Sequence, residues 1–158
     1  EHTDSDLMTI HDYEWRREVL AQRYTETGLA DMMRGRGPAG RPLVVGEHQR
    51  EDVPVLLTEF GGVEFITSRS AEQTWGYSSA VDAADYEARI RNILEPVQAS
   101  ALLKGFCWTQ LTDTLQEANG LCDENRVPKL PVDRLRAIIQ GKTRSDKSSE
   151  TMNEVSPA

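Results

Sequence analysis

The run VPVLLTEF at residues 53–60 is apolar almost without a break until it reaches an acid, Glu59. A strand with one wet face alternates apolar and polar residues. An unbroken apolar strand is covered on both sides, the usual condition inside a parallel sheet. Two further segments have strand character, DLMTIHDY at 6–13 and ALLKGFCWTQL at 101–111. Each of the three strands is followed by a helical pattern. In EWRREVLAQRY (14–24), Trp15, Val19, Leu20 and, less regularly, Arg23 share a stripe. Over 81–98 the stripe is Tyr86, Ile90, Ile93, Leu94 and Val97, with Glu87 and Arg91 paired on the wet side and Pro96 at the fraying end. A closing helix opens at Pro131, turns Leu135, Ile138 and Ile139 inward, and stops at Gly141.

Strand–helix repeated three times implies parallel strands with right-handed crossovers, an α/β fold. Three such strands alone leave two open edges and one uncovered sheet face, so the pattern reads as part of a larger sheet or barrel. The segments between the elements are expected to be loops. One is TETGLADMMRGRGPAGRP, where Gly35, Gly37, Pro38 and Gly40 oppose regular structure, and another is 61–79. Residues 1–141 read as one unit and 142–158 as a polar, disordered tail. The opening EHTDSDLM, without Met and almost directly in a strand, reads as a cut inside something larger, with processing as the alternative.

Composition removes several classes of function. A net charge of −8 over 158 residues is opposite to what a nucleic-acid backbone attracts, so no nucleic-acid partner is expected. No run approaches the roughly 18 apolar residues of a membrane span, and no membrane partner is expected. The N-terminus lacks the basic and apolar regions of a signal peptide, which favours the cytoplasm while leaving the compartment open. Cys107 and Cys122 have neither zinc-type spacing nor partner histidines and read as ordinary thiols.

Each strand finishes on polar or aromatic residues, HDY, TEF and CWTQ, at the end where barrels of alternating strands and helices carry their chemistry. Counting alternate residues back from Glu59 gives Leu57 and Val55, so the acid is expected to share their side. Gly61 and Gly62 then permit a sharp turn and leave room for a ligand beside the carboxylate.

PVLLTEFGG, then WGY, then GFCWTQLTDTLQEANGLCDENRVPK closely resemble, in that order, the C-terminal part of the catalytic barrel of glycoside hydrolase family 2. That family includes the β-galactosidases, β-glucuronidases and β-mannosidases. The resemblance covers residues 6 to about 140. It implies a partial (β/α)8 TIM barrel, the last three units, with strands corresponding to the sixth, seventh and eighth. It implies that Glu59 is the nucleophile of a retaining β-glycosidase, attacking the anomeric carbon to form a covalent glycosyl-enzyme. Tyr13 matches a tyrosine beside the nucleophile, and Trp108 a tryptophan forming the floor under the sugar. Trp75 and Tyr77, in the loop after the nucleophile strand, are candidates to cover the leaving-group side. The acid/base of the family is a Glu following Asn near the end of the fourth strand. Asn153–Glu154 is the only such pair here, and it is rejected because no strand precedes it. The chain therefore carries half of a catalytic pair and is expected to be inactive alone.

The implied partners are a β-glycoside and the remainder of the barrel, with no cofactor, and no metal ligand can be placed on the chain. The Asn-Lys-Lys cluster that holds the sugar acid in family glucuronidases has no counterpart, although Lys129 falls in a shared part of the motif. The histidine that follows the nucleophile in some β-galactosidases is replaced by Phe60, Gly61 and Gly62. His11 and Asp12 look like a pair, but adjacent strand residues point to opposite faces, and His11 is expected to be structural. Asp113 and Glu117 are assigned to loop hydrogen bonding. The competing reading is a non-catalytic α/β module, binding carbohydrate or another partner, that keeps the motif without the chemistry.

Overall fold

The computed structural model describes residues 2–46, 53–67 and 74–141; the expected disordered tail at 142–158 lies outside the described residues. Three strands, β1 (Met8–Asp12), β2 (Val55–Gly61) and β5 (Leu103–Thr109), form one parallel sheet in the order β1-β2-β5. The helices are α1 (Arg17–Arg23), α2 (Glu26–Arg34), α3 (Ala83–Ala99) and α4 (Val132–Ile139). A second, two-stranded parallel ladder pairs β3 (Val63–Glu64) with β4 (Ser78–Ser79), inside the stretch expected to be only loop.

One apolar cluster joins sheet and helices. Ile10 and Leu57 are fully buried with Leu20 of α1 and Tyr86, Ile90, Ile93 and Leu94 of α3, the α3 stripe read from the sequence. Burying one such aliphatic side chain contributes about 1.5–3 kcal/mol before the entropy of ordering it is counted. Asp82 caps α3, its carboxylate accepting from the Asp85 amide at 2.8 Å. Pro96, expected at a fraying end, instead lies buried within α3, which continues to Ala99.

Three further expectations change. Residues 25–34 are not loop: Thr25 caps α2 by accepting from the Gly28 amide, and Leu29 and Met32 turn into the core. Gly28 looks like a breaker in the sequence, yet α2 packs so closely on the end of α1 that a Cβ there would lie 2.4 Å from the Gln22 carbonyl oxygen. Trp15 is not on the buried stripe of α1. The helix begins two residues later, and Trp15 is half exposed.

The third change decides the site. Ile10 pairs with Leu57, but His11 pairs with Glu59, so Thr58 is an extra residue in β2 and makes a bulge. The alternation slips there: Val55, Leu57 and Phe60 are buried. Glu59, expected to share the side of Leu57, leaves that set, and its side chain is 46% exposed. The same slip is visible on the other flank, where the register with β5 shifts between Leu57 and Phe60.

Candidate functional site

The C-terminal ends of the three strands meet at one phenol. The Tyr13 hydroxyl, just past β1, donates to Glu59 Oε2 of β2 at 3.1 Å and lies 3.4 Å from Thr109 Oγ1 at the end of β5. A phenol has one proton to give, so with the carboxylate as its acceptor the Thr109 hydroxyl is left to donate to the phenol oxygen. Burial holds the Tyr13 phenol above its ordinary value, against the opposing hydrogen bond from Thr109, and the hydrogen bond to Glu59 and then the Glu59 charge add to the rise. At neutral pH it is a protonated donor.

His11 Nδ1 also lies 3.1 Å from Glu59 Oε2. Both contacts converge on one oxygen, and Glu59 Oε1 accepts no hydrogen bond from the described residues. The sequence expectation that His11 is structural is therefore corrected. The opposite-face rule held, since Asp12 is buried while His11 is exposed, but the bulge at Thr58 brings Glu59 round to the His11 side. Asp12 accepts from Arg23 Nη1 at 2.6 and 2.7 Å and from the Tyr24 hydroxyl at 2.9 Å. It is thereby tied to α1 and away from the site.

The two glycines after Glu59 each make way for a ring. A Cβ on Gly61 would lie 2.7 Å from three atoms of the Trp108 indole, and one on Gly62 would lie 2.5 Å from Tyr77 Cδ2. Both also have positive φ, +95° and +63°, which suits glycine. The room foreseen for a ligand is thus taken in large part by aromatic side chains. Trp108 stands edge-on to Phe60, centroids 5.2 Å apart, and its buried indole Nε1 has no partner among the described residues. Tyr77 lies flat on Tyr13 at 3.6 Å and 9°, and its amide donates to the Gly62 carbonyl at 2.9 Å. Trp75 is one ring further out, edge-on to Tyr77 at 5.6 Å. The structure thus gathers Glu59, Tyr13, Trp108 and the Trp75–Tyr77 pair at one end of the sheet. Sequence reasoning did not foresee the contacts of His11 with Glu59 and of Thr109 with Tyr13.

The neighbouring carboxylates have other partners. Glu14 is forked to Arg16, with Nε at 2.8 Å from Oε1 and Nη2 at 2.7 Å from Oε2, and those bonds hold its carboxyl at about 2. Asp113 is buried against Lys129 Nζ at 2.7 Å, and Glu117 lies 3.4 Å from the Gln110 amide nitrogen, in keeping with loop roles. Among the described residues no group of three or more His, Cys, Asp or Glu could hold a metal ion, and no helix is long and apolar enough to cross a membrane. A cleft of about 520 Å³ opens beside the site, lined by His11, Tyr13 and Tyr77 on one side and by Trp15, Pro38 and Ala39 among others.

No protein-family model and no curated protein sequence matches the chain. Solved structures do. A GH2 beta-galacturonidase from Eisenbergiella tayi bound to galacturonate superposes with a TM-score of 0.54 at 16% identity, over 87% of this chain and 24% of that one. A GH2 beta-galacturonidase from Eisenbergiella tayi bound to glycerol gives 0.54 at 15% over 87% and 24%. A Bifidobacterium dentium beta-glucuronidase complexed with coumarin-3-O-glucuronide gives 0.51 at 15%, over 86% and 21%. At these identities the likeness is one of fold: this small α/β chain with a parallel sheet is similar to part of these glycosidases, and it spans about a quarter of their length or less.

Proposed function

We propose that this chain is the C-terminal portion of the catalytic barrel of a family 2-type retaining β-glycosidase, supplying its nucleophile. The observation that carries the proposal is Glu59, at the C-terminal end of the middle strand, with one oxygen held by Tyr13 and His11 and the other taking no bond from a described residue. In this mechanism the unheld oxygen attacks the anomeric carbon, the glycosidic bond breaks, and a glycosyl ester forms on Glu59. A second carboxyl group, roughly 5 Å away in retaining enzymes, protonates the leaving oxygen and then activates the water that cleaves the ester. Among the described residues Asp12, Glu14, Asp113 and Glu117 are engaged elsewhere, and in this proposal that group comes from another part of the barrel. Trp108 provides an apolar ring for a sugar face.

The sheet supports a larger assembly. β1 and β5 are its edges, and Phe106 on β5 is exposed, as it would be with the next part of a barrel removed. The galactosidase-like specificity is part of the proposal. The alternative, a self-standing α/β module that binds carbohydrate without hydrolysing it, draws on the continuous core that this chain has on its own.

The test is turnover of aryl β-glycosides by the purified chain. Loss of the acid/base alone removes a factor of about 10²–10⁴ for a leaving group that needs a proton. Phenyl glycosides are therefore expected to be hydrolysed barely above background. Brisk turnover that disappears in Glu59→Gln would sink the half-site account.

A further inference from the structure

We propose that Asn119–Gly120 is a guarded deamidation site. While the loop at 110–130 is closed, the fold withholds the pair from reaction; when the loop opens, Asn119 is committed to an irreversible change. This inference is independent of the role given to Glu59.

An Asn followed by Gly is open to attack by its own backbone, because glycine has no Cβ to obstruct the ring that forms. The Gly120 nitrogen gives up its proton to a base from solvent and bonds to Asn119 Cγ. The Cγ–Nδ2 bond breaks, and the departing amine takes a proton back and leaves as ammonia. Water then opens the five-membered imide at either carbonyl, giving an aspartate or an isoaspartate at position 119. One water is consumed and one ammonia released, with no oxidant or reductant.

The closed loop opposes each step. Asn119 is fully buried, away from the water that must add. The Gly120 amide, which has to attack, donates to Asp113 Oδ1 at 2.8 Å, and the Gly120 carbonyl accepts the Tyr86 hydroxyl at 2.8 Å. Gly120 has no room to swing: a Cβ there would lie 2.4 Å from the Asp113 nitrogen and 2.5 Å from the Cys122 carbonyl oxygen. The Asn119 side chain is fixed through its oxygen alone, which accepts from Gln110 Nε2 at 2.7 Å. Nδ2, the nitrogen that departs, is buried with no partner among the described residues, an uncommon state for an amide. The loop itself is tied by the isolated bridges Thr112–Cys122, Thr114–Glu117 and Cys122–Pro128 and not by a regular sheet, and such segments open locally.

The product does not fit the place of the amide. A carboxylate at position 119 meets the Gln110 amide nitrogen, which already lies 3.4 Å from Glu117 Oε2, so two negative groups converge on one donor. The Lys129 ammonium is bonded to Asp113 Oδ1 at 2.7 Å and to the Ala118 carbonyl at 2.8 Å. Opening also reaches beyond the loop, since the Ala118 amide donates to the Trp75 carbonyl at 3.3 Å and its carbonyl accepts from the Phe65 amide at 3.0 Å.

The experiment incubates the full 158-residue chain, folded and in urea, at neutral and mildly alkaline pH, and follows position 119 by peptide mass mapping with chromatographic separation of isoaspartate. The proposal expects conversion in urea that quickens with pH, and conversion at least about tenfold slower in the folded chain. Tyr86→Phe removes the bond to the Gly120 carbonyl and keeps the ring, and should quicken folded-state conversion about fivefold. Tyr24→Phe loses a hydroxyl bonded to Asp12, outside the loop, and should leave the rate unchanged. Asn119→Asp should show faster backbone hydrogen exchange over 110–130 than the parent. Equal rates in folded and urea-treated chain would overturn the guard. Equal quickening by the two tyrosine variants would overturn local opening, and parent-like exchange in Asn119→Asp would overturn the irreversible step. Asn119 left intact in urea would overturn the site.

Discussion

His11 Nδ1 stands 3.1 Å from Glu59 Oε2, the oxygen that also accepts the Tyr13 hydroxyl, and the two residues are register partners across β1 and β2. That pairing exists because Thr58 is an extra residue in its strand. Deleting Thr58 should remove the bulge and leave Glu59 directly after Leu57, still on the His11 side, with Phe60 still facing the core. We expect the variant to stay folded, with a loss of about 0.5–3 kcal/mol, the ordinary range for a single change. Urea denaturation of the deletion variant checks this, and a loss beyond about 4–5 kcal/mol would mean that Thr58 is not a simple insertion into the register of β1 and β2.

Tyr13→Phe keeps the ring stacked on Tyr77 and removes only the hydroxyl. The loss should be about 1 kcal/mol, within the range for a net hydrogen bond, because the accepting carboxylate is half exposed. Chemical denaturation gives the value. A near-ultraviolet circular dichroism spectrum like that of the parent would show the Tyr13–Tyr77 stack intact.

Gly62→Ala meets two obstacles, a left-handed φ of +63° and a Tyr77 ring atom 2.5 Å from the new methyl. The backbone strain alone costs about 1–3 kcal/mol, and Tyr77 has to leave its seat. The expected signature is lower stability together with loss of the near-ultraviolet signal from the stacked tyrosines. Gly40→Ala, at a φ of +72° but with open space around it, carries the strain without the collision and should leave that signal unchanged.

Asp12 is fully buried and holds both Arg23 and Tyr24. Asp12→Ala leaves the guanidinium without its partner and should cost about 3–5 kcal/mol. Urea denaturation of the variant gives the value.

Alkaline pH should destabilise the fold. Tyr13, Tyr24 and Tyr86 have phenols raised above the ordinary value of 10, chiefly by burial. A raised value means that the folded state keeps a proton that the unfolded chain gives up. The stabilisation is complete below pH 10 and is lost as pH climbs from there towards the folded values. Thermal unfolding should move to lower temperature as pH rises past 10, with less of a drop in Tyr24→Phe.

Much of the fold could be read from spacing. The three strands, the buried stripe of α3 and the closing helix follow from periodicity, which reports what a local segment can bury. α2 escaped because the whole stretch was read from Gly35, Gly37, Pro38 and Gly40, which all lie past its last residue, Arg34. Only the close approach of α2 to the Gln22 carbonyl gives Gly28 its reason, and that approach is tertiary. At the site, Glu59, Tyr13 and Trp108 were visible as residue types at strand ends. The role of His11 was not, because face assignment by alternate counting fails wherever a bulge inserts one residue, and nothing in TEF marks Thr58 as that residue. The purpose of Gly61 and Gly62 was half legible: room was needed, but the rings that use it arrive from positions 108 and 77.

The most direct test of the Glu59 assignment is to incubate the chain with 2,4-dinitrophenyl 2-deoxy-2-fluoro-β-glycosides and locate any adduct by peptide mass mapping. This leaving group departs without a proton, so the missing acid/base is not needed, and the fluorine slows breakdown of the ester. The account predicts slow, stoichiometric labelling confined to Glu59 for at least one sugar and none in Glu59→Gln. Labelling of other carboxylates with Glu59 untouched, or equal labelling in the Gln variant, would contradict it.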